Sequence, residues 1–124
     1  MSGNRLVLDT NIVLGFLAGR TDTTSYLNGQ QGADLYVSTV TRMELLSFPT
    51  ITPEEEQAVN VMPLDDRIED IAIHLRRTAR NRLPDAIIAA TAIRLDATLV
   101  THDADLAKIT YPDLNTVNPA ARKH

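Results

Sequence analysis

Leu6-Val-Leu-Asp9-Thr10-Asn11 is a short apolar run that stops at an acid, and Ile12, Val13, Phe16 and Leu17 follow it at helical spacing. The run reads as a buried strand, and Asp9, Thr10 and Asn11 are three candidate helix-capping residues. The passage predicts a strand handing over to a helix with Asp9 at the junction.

Outward from this point the alternation continues. Leu35-Tyr-Val-Ser38 is a second strand, Thr41 opens a helix carrying Met43, Glu44, Leu45 and Leu46, and Pro49 closes it. Pro53 and three glutamates begin a short helix, and Asn60-Val-Met-Pro-Leu64 reads as an edge strand. Over residues 65–80, Ile68, Ile71, Ala72, Leu75 and Ala79 form one apolar face, while Arg67, Asp70, His74 and Arg77 share the opposite one and turn His74 to water. Residues 86–95 form an alanine-rich helix that is apolar nearly all round, which predicts close packing in the core. Ala97-Thr-Leu-Val-Thr101 is the next strand, residues 102–106 a turn or single short helix, residues 115–117 a candidate last strand, and residues 120–124 a loose tail. Alternating strands and helices give an α/β chain.

The 124 residues support one domain, expected over residues 1–119, of ordinary globular composition. There is no cysteine, so thiolate metal sites, disulfides and cysteine nucleophiles are excluded, and the composition suits a reducing cytoplasm. No apolar run approaches the roughly 18 residues of a membrane span, and the polar start does not resemble a secretory signal. The expected location is cytoplasmic, with no membrane partner. A net charge of −4 at first sight argues against nucleic acid, but Arg76, Arg77, Arg80 and Arg82 form a local basic run that the total conceals.

Asp9, Glu44, Asp85 and Asp103 each stand at the edge of an apolar segment. Taken singly, each has an ordinary explanation as a helix cap, a charge on a helix dipole or a solvated side chain. On an open α/β sheet, however, Asp9 and Asp103 lie at the carboxyl ends of strands, Asp85 joins from a helix start, and Glu44 sits one turn into the helix after the second strand. Capping does not explain why all four should share one sheet edge. Oxygen-only donors of this kind suit Mg²⁺ or Mn²⁺.

Leu6-Val-Leu-Asp-Thr-Asn11, the glutamate of Thr39-Val-Thr-Arg-Met-Glu44, Leu83-Pro-Asp-Ala-Ile-Ile-Ala-Ala-Thr-Ala92 and Leu99-Val-Thr-His-Asp-Ala-Asp-Leu106 resemble, in order and spacing, the PIN-domain nucleases. The resemblance extends over the whole chain and is greatest toward the small VapC-type ribonuclease toxins, which are partnered by VapB antitoxins. It implies a three-layer α/β/α sandwich around a mostly parallel central sheet. It also implies that Asp9, Glu44, Asp85 and Asp103 are the catalytic, metal-holding quartet, with Asp105 as the fallback for the fourth acid. Thr10 and Asn11 would shape the metal loop, and Ser38 would hydrogen-bond a ligand or water. Leu106 stands where many relatives carry phenylalanine, a change of packing rather than chemistry.

The resemblance further implies an RNA substrate, a cognate antitoxin and a homodimer, with Phe16, Leu17 and Tyr26 as apolar candidates for either protein interface. Arg80 and Arg82, next to Asp85, are the nearer candidates for RNA phosphates, and Arg76 and Arg77 the further ones. Arg42, Arg122 and Lys123 are weaker candidates. With only Tyr26, Tyr36, Tyr111, Phe16 and Phe48 as aromatics, no base-stacking platform is evident, which favours recognition of RNA by structure or backbone rather than by sequence along an extended single strand. His102 and His124 suggest no second mechanism, and His102 reads as a surface turn residue. A haloacid-dehalogenase-type phosphatase would need a second aspartate where Asn11 stands. A receiver domain would need an early acidic pair and a late lysine, and a phosphate-binding glycine loop is absent. The remaining alternative is a catalytically inactive PIN-like binding or scaffold module.

Overall fold

Leu6, Val7 and Leu8 are all buried because β1 (Arg5–Leu8) is the middle strand of a sheet covered on both faces. The computed structural model describes residues 4–112 and 114–120. Its other strands are β2 (Asp34–Ser38), β3 (Asn60–Met62), β4 (Thr98–Val100) and β5 (Thr116–Val117), in the order β3-β2-β1-β4-β5 with every pairing parallel. Parallel strands require crossovers, and these are supplied by α1 (Thr10–Leu17), α2 (Thr21–Asn28), α3 (Thr39–Leu46), α4 (Pro53–Glu56), α5 (Asp66–Ala79), α6 (Leu83–Leu95) and α7 (Ala104–Ala107).

The period-two geometry of a strand sends Val7 and Leu99 to one face, where they meet Ile68, Ala72 and Leu75 of α5 and the alanines of α6. Leu6, Leu8, Val37 and Val100 face the other way, onto Ile12 and Val13 of α1 and Leu45 of α3. The result is a three-layer α/β/α sandwich, and α6 buries Ala86, Ala89, Ala90 and Ala92 as its composition predicts. Asp65 caps α5 and bonds Arg94 of α6 at 3.0 Å, tying the two helices of one layer together.

Three details of the helices differ from the sequence reading. Helix α2, rich in threonine and without a side-chain cap at Arg20, was not anticipated; it is anchored by Thr23, which is fully buried. Helix α3 begins at Thr39 rather than Thr41, because the hydroxyl of Ser38 accepts from the Thr41 N–H and so caps it. Ala79, assigned to the apolar face of α5, is exposed at the last turn. His74 is exposed as expected, edge-on to Tyr111. Residues 121–124 of the expected tail, including Arg122, Lys123 and His124, lie outside the described residues. No helix among the described residues is long and apolar enough to cross a membrane.

The order of the strands reverses at β1, since β2 and β3 lie to one side and β4 and β5 to the other. Open α/β sheets form their ligand crevice at the carboxyl ends of the strands flanking such a switch point. Leu8 pairs with Val100 there, so the next residues, Asp9 and Thr101, emerge side by side.

Candidate active site

The carboxyl edge of the sheet opens into a cleft of about 460 Å³, and Asp9, Glu44, Asp85 and Asp103 all line it. They arrive from four elements. Asp9 ends β1 and caps α1, Glu44 projects from α3, Asp85 stands in the first turn of α6, and Asp103 caps α7. Capping and site formation coexist here because a carboxylate has two oxygens. Asp103 Oδ1 accepts the capping bond from the Asp105 N–H at 2.9 Å, and the side chain still lines the cleft.

Asp9 is the most constrained of the four, being 7% exposed. Its Oδ1 accepts from the Thr10 N–H at 2.8 Å, and its Oδ2 from Thr101 Oγ1 at 2.6 Å and Asn11 Nδ2 at 3.2 Å. The same Thr101 hydroxyl accepts from the Asp103 N–H at 2.9 Å. One fully buried threonine thus fixes two of the acids relative to each other. Thr10 lies between Glu44 Oε1, to which it donates, and Thr41 Oγ1 at 3.3 Å. A hydroxyl carries one proton, so with Thr10 donating to Glu44 the buried Thr41 donates to Thr10.

Burial pushes the Asp9 carboxyl above the ordinary carboxylate range; hydrogen bonds from Thr101 and Thr10 oppose this, and the charges of Asp103 and Glu44 add to it. Asp85 is likewise raised, first by desolvation and then by Asp103, with Arg82 opposing and Asp9 and Asp105 adding smaller effects. The acids therefore sense one another. Among the described residues, however, no three side chains of His, Asp or Glu form a ready metal cage. The four carboxylates share a cleft without closing on a point. The donor chemistry fits a hard divalent ion: every acid is an oxygen donor, and a cation relieves the repulsion felt by Asp9 and Asp85.

The auxiliary candidates divide. Thr10 and Asn11 line the cleft. Ser38 is fully buried, spends its hydroxyl on capping α3, and is not among the lining residues. Asp105 also lies outside the lining, its side chain 86% exposed and 4.0 Å from Lys108. The arginine run is split. Arg82 lines the cleft, whereas Arg76 and Arg77 line a separate apolar groove between α5 and α6, and Arg80, with φ 56°, is the left-handed end of α5.

Several residues of the site were not singled out from sequence. Thr101 and Thr41 read as ordinary strand and helix threonines, and only their positions beside Asp9 and Thr10 reveal their work. His102 is a half-buried bridge rather than a surface turn residue: its Nε2 is 2.9 Å from Thr23 Oγ1, its Nδ1 3.0 Å from Asn118 Oδ1, and its N–H donates to Asn11 Oδ1 at 3.2 Å. It ties α2 and the segment after β5 to the loop bearing Asp103. Phe48, half-exposed, lines the cleft itself.

The sequence pattern of the PIN domain matches residues 6–110. No curated protein sequence matches the chain. Among solved structures, the chain is similar to a toxin–antitoxin complex from Klebsiella pneumoniae, at 28% identity and a TM-score of 0.74, with 92% of this chain and 97% of that chain covered. VapBC-1 from nontypeable Haemophilus influenzae is similar at 23% identity and a TM-score of 0.73, covering 93% of this chain and 98% of that one. VapBC2 from Rickettsia felis bound to a promoter DNA fragment is similar at 20% identity and a TM-score of 0.74, covering 92% and 98%. The last two likenesses bear on the fold alone. With the family pattern spanning β1 to the segment after α7, and with the parallel sheet and acidic cleft it frames, the chain belongs to the PIN domain family.

Proposed function

We propose that this chain is a Mg²⁺- or Mn²⁺-dependent endoribonuclease and the toxin of a type II toxin–antitoxin pair. The observation that carries the reading is the meeting of Asp9, Glu44, Asp85 and Asp103 in one cleft at the switch point of the sheet. Asp9 and Asp85 would hold the principal ion, and Glu44 and Asp103 would hold a second ion or orient the attacking water. A divalent ion so held supplies an activated water and charge stabilisation on the phosphoryl oxygens. Thr101 keeps Asp9 and Asp103 in register, Thr10 fixes Glu44, and Asn11 braces Asp9. Arg82 is placed to meet a substrate phosphate at the rim. Water adds to phosphorus while the bond to the 3′ oxygen breaks, leaving a 5′-phosphate and a 3′-hydroxyl.

The toxin assignment is supported by the family and by similarity to a toxin–antitoxin complex. Phe16 and Leu17, both exposed, line an apolar groove with Leu27 and Leu35 that offers an antitoxin a contact surface. The exposed Leu64, Ile73 and Leu83 offer another to a second copy of the chain.

The test is RNA cleavage by the purified protein, followed by sequencing of the new ends. Cleavage is expected with Mg²⁺ or Mn²⁺ and none with EDTA. Loss of several kcal/mol of charge stabilisation predicts a fall of about a thousandfold for Asp9→Asn with the fold retained. RNA binding without metal-dependent cleavage would mark the chain as a binding module instead.

A further inference from the structure

The acid-lined cleft has a second chemical half. Leu14, Phe48, Pro84 and Ile88 stand in the same cavity as the carboxylates, with Arg82 at its edge. Metal and phosphate need only oxygen donors and cations, so this apolar wall is unexplained by the ion site.

Phe48 owes its place to helical spacing. It follows Glu44 by four residues, its N–H bonds Leu45 O at 3.0 Å just past the cap of α3, and it lines the same cleft as Glu44. Pro49 then diverts the chain. The ring is 44% exposed, a large aromatic surface left in water beside an acidic cavity. Across from it, Asp85 and Ile88 are likewise one turn apart on α6, so each wall carries an acid at one level and an apolar group at the next.

A nucleotide has the same division, charged at the phosphate and flat and apolar at the base. We propose that Phe48 is a stacking platform for an unpaired nucleobase of the RNA flanking the scissile phosphate. The proposal rests on the nuclease reading and names the residue of this chain that would hold such a base, which must be unpaired because a paired base presents no free face. It revises the expectation that the chain offers no stacking surface. An uncharged contact also suits this cleft physically, since the carboxylates repel phosphate until a cation is present and stacking does not depend on that charge.

The experiment uses short RNAs carrying one 2-aminopurine, walked along the strand, with the wild-type chain and its Phe48→Ala, Phe48→Leu and Phe48→Trp variants. Fluorescence is read in Ca²⁺, and cleavage is read separately in Mg²⁺. Quenching at one position of the single strand, absent from the duplex, is expected with wild type and Phe48→Trp. Phe48→Ala and Phe48→Leu should abolish it, weaken RNA binding about tenfold or more, and raise KM by a similar factor with kcat less changed. Phe48→Leu keeps apolar bulk, so its loss of quenching separates stacking from folding. If wild type cleaves RNA in Mg²⁺ and neither variant alters quenching or KM, the platform is overturned, the nuclease reading stands, and the apolar wall belongs to a protein contact. If quenching depends on Phe48 but no RNA is cut, the nuclease reading fails and the platform remains.

Discussion

The cleft at the carboxyl edge of the sheet and the groove between α5 and α6 share one helix and differ in chemistry. Pro84, Asp85 and Ile88 of α6 look into the cleft, whereas Leu83 and Ile87 look into the groove. Helical periodicity alone sorts neighbouring residues into two surfaces. The groove, about 560 Å³, is walled by Leu64, Ile73 and Leu83 with a single acid, Glu69, near Arg76 and Arg77. The cleft gathers four acids around one arginine. Many like charges with little to neutralise them are what the proposed cation site rests on; one acid beside two arginines gives no such ground.

The largest effect that would sharpen this contrast comes from Thr101→Val. The substitution keeps the shape but removes the hydroxyl joining Asp9 to the Asp103 backbone, and losing such a support to an ion-holding residue costs about 10- to 100-fold in metal affinity or activity. Kinetics and Mn²⁺ affinity should fall together, while Ile73→Ala in the groove leaves both unchanged. Equal effects at the two places would erase the distinction.

A smaller effect is expected from the arginines. If Arg82 contacts one phosphate, Arg82→Ala reduces the slope of log affinity against log salt by about 0.7 for single-stranded RNA. Arg76→Ala and Arg77→Ala should leave the slope unchanged. Arg76 Nη1 already donates to Asn81 O at 3.1 Å, bracing the turn between α5 and α6.

This division shows where sequence reading reaches its limit. Strand β1 and helix α6 were legible because unbroken apolar runs have few other uses than burial, and Asp9 was legible because it interrupts such a run at a helix start. The arginine run looked continuous because nothing at Arg80 announces a left-handed backbone; neither glycine nor asparagine stands there. Helix α2 escaped notice since its fully buried residue is a threonine, held by His102 from 79 residues away, while Tyr26 and Leu27 pack against the core only partly buried. Thr101 carries no pattern of its own, and Phe48 keeps the spacing from Glu44 only beyond the end of α3. Their roles come from packing neighbours that only the assembled sheet supplies.

The smallest predicted effect concerns stability. Asp85 is raised by desolvation and by Asp103, so the folded metal-free protein holds this proton to higher pH than the unfolded chain does. Stability is then lost as pH rises from the ordinary carboxylate range through the raised value. Asp85→Asn should raise the melting temperature in EDTA at neutral pH and flatten its pH dependence. Glu69→Gln in the groove is the control, and thermal melts across the acid-to-neutral range check the pair.

The central claim, that folding draws Asp9, Glu44, Asp85 and Asp103 into one ion-holding cleft, is tested most directly by titrating Mn²⁺ and following the free ion by electron paramagnetic resonance. Saturable binding to the wild-type chain, lost in both Asp9→Asn and Asp85→Asn while Glu69→Gln binds normally, is the predicted result. Absence of saturable binding to wild type, or binding by the Asp9 and Asp85 variants as tight as wild type, would contradict it.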